Sequence, residues 1–174
     1  MLKNKNVYLR LMEERDIPYK VKWINDPDVS ATLNFDFPIS EIATKQWLNK
    51  ASSSQTRKDF IVCLNKNDLQ IGYAGLLNID IKNRKAESYM GIGDKAWWGK
   101  GIGKEIRIVI LEYGFRELAL NKIYSYVWVE NNKMIKLNKD VGFKIEGHLK
   151  KDVFSHGVYR DRYVMSILKE DYLK

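Results

Sequence analysis

A glycine-rich turn is the part of this sequence with the clearest chemical use. Its glycines alternate with larger residues and lead directly into a run with helical spacing. Glycine leaves backbone amides uncovered, and such amides at the start of a helix, together with the positive end of the helix dipole, bind anions. Two lysines add positive charge. We predict that a diphosphate-containing cofactor binds at Trp98, Gly99, Lys100, Gly101, Ile102, Gly103 and Lys104.

The same turn has alternative interpretations. A dinucleotide-binding loop needs the pattern Gly-x-Gly-x-x-Gly with an acidic residue about 20 positions onward, and the third glycine of that pattern is absent here. A Walker A loop needs Gly-Lys-Ser/Thr at its end, and this turn lacks that triplet. A tight turn without a ligand stays open as the structural interpretation.

The elements that would position this turn form a mixed α/β pattern. Alternating, β-branched and aromatic runs predict strands at Val7–Met12, Asp59–Asn65, Gln70–Ile79, Glu87–Gly93, Ile123–Val129, Phe143–Phe154 and Val158–Leu168. Apolar residues at helical spacing predict helices over residues 16–25, 41–50, 102–118 and 131–141. We therefore predict a single domain, residues 1–174, with a mostly antiparallel central sheet flanked by helices.

Composition limits the kind of protein this is. The chain has 174 residues and 45% hydrophobic content, which is enough for one continuous core. No run approaches the roughly 20 apolar residues of a membrane-spanning helix, and the first residues lack the apolar block of a signal peptide. We therefore expect no membrane association and a cytoplasmic location.

Metal and disulfide chemistry are not indicated by the sequence. The single cysteine, Cys63, lies in the apolar run Phe60–Leu64 and is expected to be a small core side chain. His148 and His156 are the only histidines, and no cysteine or histidine pair has the spacing of zinc ligands. We expect no metal cofactor.

The net charge of +8 points to an anionic partner. Nucleic acid, an acidic substrate and a polyphosphate cofactor would each satisfy it. Lysines and arginines are scattered among acidic residues, and no nucleic-acid-binding signature accompanies them. We therefore expect no nucleic-acid partner.

The glycine turn resembles the acetyl-CoA pyrophosphate loop of GNAT N-acetyltransferases, whose pattern is Arg/Gln-x-x-Gly-x-Gly/Ala. Trp98 stands at the Arg/Gln place, as it does in the subgroup of ribosomal-protein alanine, spermidine and nucleotide-amino-sugar acetyltransferases. Further stretches resemble that subgroup in order and spacing, and together they cover nearly the whole chain. They are Ala86–Glu87, Val129–Asn132, Val141–Phe143, Glu146–His148 and Phe154–Asp161.

This resemblance implies a GNAT fold, acetyl-CoA as cosubstrate and transfer of the acetyl group to a primary amine. It also implies that the strand beginning at Ser88 separates from its neighbour, and that backbone groups at Met90, Gly91 and Ile92 hold the pantetheine arm and the thioester. Glu87 would be the base, because partial burial at the end of a strand raises a carboxyl pKa toward neutrality. A surface ion pair between Glu87 and a neighbouring basic residue is the alternative.

The sequence differs from the family pattern at the position of the general acid. Many family members carry a tyrosine four residues before the Gly-Phe pair, and Asn138 stands there in this chain. An amide can hydrogen-bond a thiolate or the CoA arm but cannot donate a proton to it as an acid does, so we expect water to protonate the thiolate. Asn131 stands where relatives contact CoA, with a helix cap as its alternative role.

The resemblance places the acceptor site between the early helices and the last hairpin. The residues expected to line it are Trp23, Phe35, Asp36, His156 and Tyr159. The basic chain disfavours a polycationic acceptor and favours an anionic small molecule, such as a nucleotide-linked amino sugar, or a protein N-terminus. A polyamine acceptor and an acyl-CoA-binding module without turnover are the further alternatives, and a homodimer is compatible with the sequence.

Overall fold

A seven-stranded sheet forms the centre of the protein, whose computed structural model describes residues 2–35 and 37–172. The strands are β1 Val7–Leu11, β2 Lys58–Leu64, β3 Gln70–Asp80, β4 Lys85–Ile92, β5 Lys122–Trp128, β6 Lys144–Ser155 and β7 Val158–Leu168. Their order in the sheet is β1-β2-β3-β4-β5-β7-β6, and the β4–β5 pair is parallel while the other neighbouring pairs are antiparallel. The predicted mixed, mostly antiparallel fold is confirmed.

Six α-helices accompany the sheet in the described part of the chain. They are α1 Ile17–Asn25, α2 Pro27–Ser30, α3 Glu41–Ser52, α4 Ile102–Glu112, α5 Asn132–Asp140 and α6 Lys169–Tyr172. The predicted 102–118 helix is α-helical only to Glu112, because the chain continues through a π-helical turn at Tyr113–Glu117. Ser40 caps α3, since its side chain accepts a hydrogen bond from the Ala43 amide at 3.1 Å.

The short helix α2 was not predicted from the sequence. Proline disfavours a helix in the residue before it, and α1 accordingly ends at Asn25, ahead of Asp26. The structure begins a new helix at Pro27 itself, a position that proline tolerates well. The Asp26 carboxylate caps that helix by accepting a hydrogen bond from the Asp28 amide at 2.9 Å.

Helices cover the two faces of the sheet unequally. On one face, α4 buries an apolar stripe that includes Ile102, Ile106 and Ile110 against the central strands. On the other face, α1 and α3 cover the part of the sheet formed by β1 to β4, with Trp23 and Leu48 in that second core. The second face of β5 and β7 lies beyond these helices and bears partly exposed side chains.

Two composition-based expectations can be compared with the fold. Cys63 is buried in β2, and burial raises the pKa of its thiol, as expected for a core cysteine. Across the described residues, no helix is both long enough and apolar enough to cross a membrane.

Candidate active site

The glycine turn presents uncovered amides at the head of α4. Gly99 and Gly101 have φ values of 73° and 77°, in the left-handed region that favours glycine, and a Cβ at either position would meet no described heavy atom within 4 Å. Within the described chain, the amides of residues 99–103 donate no turn or cap hydrogen bond, whereas the Lys104 amide donates to the Gly101 carbonyl at 3.1 Å. These free donors, at the start of an eleven-residue helix, fit a diphosphate.

Side chains around the turn fix it to the sheet and surround it with positive charge. The Trp98 indole N–H donates to the Ile92 carbonyl oxygen at 2.8 Å and so ties the turn to the end of β4. Lys100 Nζ lies 4.8 Å from the centre of the Trp97 ring, and Lys104 is exposed at the first turn of α4. The predicted loop residues are therefore together, with both lysines exposed to solvent.

The two parallel strands β4 and β5 separate beside this turn. Their pairing consists of three residue pairs and ends at Glu87–Tyr124. Beyond that point β4 continues to pair with β3 on its other edge, as far as Ile92, while β5 continues to pair with β7. The edge of β4 from Ser88 to Ile92 therefore faces a gap, and this edge includes the predicted residues Met90 and Gly91.

Gly103 lets α4 approach the gap closely. A Cβ at this position would lie 2.6 Å from Leu137 Cδ1, and 3.6 Å from Met90 Cε and 3.8 Å from Ile92 Cδ1. A larger residue would require the Leu137 side chain to move or α4 to shift away from α5. Gly103 therefore has a packing role, which differs from the conformational role of Gly99 and Gly101.

Glu87 lies at the end of the paired part of β4 and is half-buried. Burial raises the pKa of its carboxyl, and this effect exceeds the opposing effects of the Asn78 hydrogen bond and the Arg162 charge. Asn78 Nδ2 donates to Glu87 Oε2 at 3.0 Å. Neither Arg84 nor Lys85 forms an ion pair with it among the described residues, so the surface-pair alternative does not match the observed contacts.

A buried arginine lies on the opposite side of β4, and the sequence analysis missed it. Arg107 is 1% exposed, and its Nη1 donates to Ser88 Oγ at 2.7 Å. Its Nη2 lies 3.5 Å from Met134 Sδ, and its guanidinium carbon lies 5.5 Å from the centre of the Phe143 ring. A usable signal was present, because Arg107 follows Gly103 by one helical turn and so lies on the same side of α4.

The two predicted asparagines have different surroundings. Asn131 caps α5, since its Oδ1 accepts a hydrogen bond from the Met134 amide at 3.1 Å, and it is partly exposed. Asn138 is fully buried, with Nδ2 lying 3.8 Å from Met165 Sδ. Its Oδ1 has no partner in the described structure. A buried side chain offers no surface to a thiolate in this conformation, which argues against the predicted contact.

Part of the predicted acceptor lining forms an aromatic cluster at one end of the sheet. Phe35 and Phe37 have ring centres 6.3 Å apart, and Phe37 lies 5.8 Å from His156. The His156 ring is also 6.4 Å from that of Trp128, at the end of β5. The loop after α2 and the β6–β7 turn therefore meet at one end of the sheet.

The other predicted lining residues either contact different side chains or lie outside the described residues. Trp23 is 5% exposed and packs over Gly93, where a Cβ would lie 2.1 Å from its ring. Tyr159 is 66% exposed and contacts Phe154, with ring centres 5.2 Å apart. Asp36 lies outside the described residues.

Two arginines lie beside the aromatic cluster on the face that carries Glu87. Arg160 is 4.7 Å from the Trp128 ring centre and 3.5 Å from Glu130, and its Nε is buried without a partner in the described structure. Arg162 is 4.4 Å from the Tyr126 ring centre and pairs with Asp152. No group of three or more potential metal ligands occurs among the described side chains.

The site can be compared with known proteins. Residues 6–144 match the acetyltransferase (GNAT) domain family. The chain is 32% identical over 171 residues to the spermidine N(1)-acetyltransferase of Vibrio cholerae serotype O1, covering 98% of this chain and 97% of that protein. It is also 32% identical over 168 residues to the N-acetyltransferase p20 of Bacillus licheniformis, which is uncharacterized, covering 94% and 93% of the two chains.

A solved structure extends this likeness to three dimensions. The crystal structure of spermidine N-acetyltransferase from Vibrio cholerae, in complex with CoA and spermine, superposes with a TM-score of 0.91 and 31% identity, covering 98% of this chain and all of that one. The fold, the enzyme class and acetyl-CoA as cosubstrate, each predicted from the sequence, are confirmed. The chain belongs to the GNAT acetyltransferase family and is an acetyl-CoA-dependent N-acetyltransferase.

Proposed function

We propose that acetyl transfer takes place at the gap between β4 and β5, with the amine approaching from the face that carries Glu87. The observation that supports this most is the end of β4–β5 pairing at Glu87–Tyr124, directly beside the half-buried carboxylate. In this proposal Glu87 accepts the proton that the amine gives up, directly or through water.

The cosubstrate would be held by main-chain groups of two segments. The amides of residues 99–103, with Lys100 and Lys104, bind the diphosphate, and the free edge of β4 binds the pantetheine arm. Bound acetyl-CoA supplies an acetyl group activated as a thioester. Amides near Met90 and Gly91 donate to the thioester oxygen as negative charge develops there.

The raised pKa of Glu87 fits the role of a base. A carboxylate with an ordinary pKa is a weak base near neutral pH. Burial raises the pKa of Glu87 and so makes its carboxylate a stronger base. Asn78 donates to the ionised carboxylate and keeps it oriented. The amine must lose its own proton before it attacks, so turnover should rise with pH through the pKa of Glu87.

We propose that the acceptor is a small primary amine that carries an anionic group, such as a nucleotide-linked amino sugar. Arg160 and Arg162 lie on the same face as Glu87, each over an aromatic ring, and the chain has a net charge of +8. The Arg160–Glu130 contact is long at 3.5 Å, so a substrate anion can replace Glu130 there.

A polyamine is the second candidate. It is favoured by the names of the relatives in Vibrio cholerae and Escherichia coli, which are spermidine N(1)-acetyltransferases aligned over nearly the whole chain. The surroundings of Glu87 are less favourable for it, because the side chains that influence its pKa most after burial are a neutral amide and a cation. A polycation is stabilised by several carboxylates instead.

An assay of CoA release separates the candidates. The panel contains a nucleotide-linked amino sugar, the same sugar without its nucleotide, spermidine and an alanine-ended peptide. We expect the nucleotide-linked sugar to have the highest kcat/KM, at least about tenfold above spermidine, which corresponds to about 1.4 kcal/mol. A higher value for spermidine selects the second candidate, and a preference for the peptide rejects both.

A further inference from the structure

The buried guanidinium of Arg107 has an unusual set of contacts. They are a hydroxyl, a thioether and a phenyl ring, and no carboxylate of the described residues lies within ion-pair distance. Its Nε is also buried without a hydrogen-bond partner in the described structure. A buried charge is ordinarily paired, because an unpaired one destabilises the fold. This side chain therefore needs an explanation other than stability.

The position of Arg107 relates it to the gap. Ser88, which accepts its hydrogen bond, is the first residue of β4 beyond the last pair with β5. The Ser88 hydroxyl in turn donates to the Tyr124 carbonyl oxygen at 3.2 Å. A chain of two hydrogen bonds thus runs from the guanidinium across the point where the strands separate.

The other titratable groups near this point do not neutralise Arg107. On β4, Glu87 and Tyr89 alternate with Ser88 and so lie on the opposite face of the sheet. On β5, Tyr124 pairs with Glu87 and shares its face. On α4, Glu105 accepts a hydrogen bond from the Asn6 side chain, and Glu112 accepts one from the Tyr172 hydroxyl. On α5 the charged groups are exposed and comprise Lys133, Lys136, Lys139 and Asp140.

From this geometry we infer that Arg107 is a positioning residue for the leaving thiolate: through Ser88 it places a fixed positive charge at the closed end of the β4–β5 gap. This inference rests on the proposed location of the thioester along β4. When the nitrogen–carbon bond forms and the carbon–sulfur bond breaks, the electron pair of that bond stays on sulfur. A nearby cation stabilises the thiolate, so departure does not require a proton from the Asn138 position.

Burial lowers the pKa of Arg107 to about 10, so its charge persists at neutral pH. A folded state that holds this cation unpaired is less stable than one with an apolar side chain of similar size. Arg107→Met is therefore expected to fold and to raise Tm by roughly 3 to 10 °C. A fall in Tm would assign Arg107 to stability and contradict the inference.

The direct test measures how CoA binding depends on pH, compared with S-methyl-CoA, which has no ionisable thiol. The CoA thiol is a simple alkanethiol, and its pKa lies about one unit above that of cysteine. If the wild-type site lowers the pKa of the bound thiol by about one unit, the affinity ratio of CoA to S-methyl-CoA rises about fivefold between about pH 7.5 and 9.5. Calorimetry on the full chain gives both affinities. Arg107→Met should abolish the rise, and Arg107→Lys should keep part of it.

Two results would overturn the inference: a wild-type ratio that does not change with pH, or an Arg107→Met ratio that rises like the wild type. Ser88→Ala offers a second variant, because it removes the intermediate hydroxyl while leaving the cation, and it should weaken the rise without abolishing it. If the wild-type protein acetylates an amine of the panel but its CoA to S-methyl-CoA affinity ratio does not change with pH, only the inferred role of Arg107 is rejected. Absence of turnover with every amine rejects the proposed function instead.

Discussion

Glu87 and Ser88 are adjacent on β4, and opposite charges lie beside them on opposite faces of the sheet: the Glu87 carboxylate itself, and the Arg107 guanidinium that donates to Ser88. On the Glu87 face, a half-buried carboxylate with a raised pKa lies beside Asn78 and Arg162. On the Arg107 face, a fully buried guanidinium reaches Ser88 without a carboxylate partner among the described residues. Both groups lie where β4 and β5 stop pairing. Each face therefore buries a charged group at this point, and burial of a charge is unfavourable for folding.

The difference between the faces indicates a division of labour. A base that accepts a proton must face the amine, and a cation that stabilises a thiolate must face the leaving group, so one strand between them keeps the two charges from neutralising each other. Proteins usually retain such unfavourable burial at functional sites. If the division holds, variants on the Glu87 face change amine chemistry, and variants on the Arg107 face or the glycine turn change the interaction with CoA.

Glu87→Gln is expected to have the largest effect. Loss of a positioned base lowers kcat by about 100-fold or more at neutral pH, while the affinity for acetyl-CoA changes little. The wild-type kcat should rise with pH through the raised pKa of Glu87, and the variant should lack that step. Steady-state kinetics over pH and calorimetry with acetyl-CoA measure the two quantities, with the exposed Glu117→Gln as a matched control.

The same variant carries a stability signature. Because the folded state raises the Glu87 pKa, it binds more protons than the unfolded state in the window just above the ordinary glutamate pKa. The contribution of Glu87 to the free energy of unfolding therefore decreases as pH rises through that window. Glu87→Gln should abolish this decrease. Thermal unfolding across the window checks the sign, and a wild-type stability that rises there relative to the variant would contradict it.

Gly101→Ala tests the turn, with Gly157→Ala as its control. The two glycines have φ values of 77° and 79° and open space where a Cβ would be, so both changes should cost about 1 kcal/mol of stability. Only the first lies at the proposed diphosphate site. We expect Gly101→Ala to weaken acetyl-CoA binding about tenfold or more and Gly157→Ala to leave it unchanged. Equal effects on binding would remove the turn from the site.

Arg160→Gln tests the anionic acceptor on the Glu87 face. Its loss should raise KM for a nucleotide-linked amino sugar by about tenfold without raising KM for acetyl-CoA, since a charge-assisted hydrogen bond is worth about 1.5 kcal/mol. Arg116→Gln is the control, because Arg116 pairs with Glu112 on α4, in a part of the structure away from the cluster. An unchanged KM for the sugar would favour the polyamine candidate.

Asn138→Leu should have the smallest effect. The side chain has no exposed surface, so we expect acetyl-CoA affinity to stay within about twofold of the wild type. Removing a buried oxygen that has no partner among the described residues should raise stability by about 1 kcal/mol. Calorimetry and thermal unfolding measure both, and a large loss of affinity would restore Asn138 to the CoA site.

Local patterns accounted for much of this structure. The strands and the glycine turn depend on neighbouring residues, and the sequence therefore predicted them correctly. The break in β4–β5 pairing after Glu87 was expected from the family resemblance, and composition or periodicity would not have revealed it.

Features that depend on packing between distant segments were harder to predict. The spacing of Arg107 from Gly103 indicates its side of α4, but its contacts with Ser88 and Met134 depend on how α4, β4 and α5 pack together. The burial of Asn138 depends on where Met165 lies in β7. Tyr159 lies on the exposed side of the last hairpin. The side on which it lies depends on the pairing register of β6 and β7, which the sequence does not give.

The most direct test of this account is a crystal structure of the full chain with CoA bound. We predict that the diphosphate contacts amides of residues 99–103 and that the sulfur lies in the gap between β4 and β5, with Ser88 and Arg107 on one side and Glu87 on the other. A sulfur located away from that gap, or a diphosphate that does not touch the turn between Trp98 and Lys104, would contradict it.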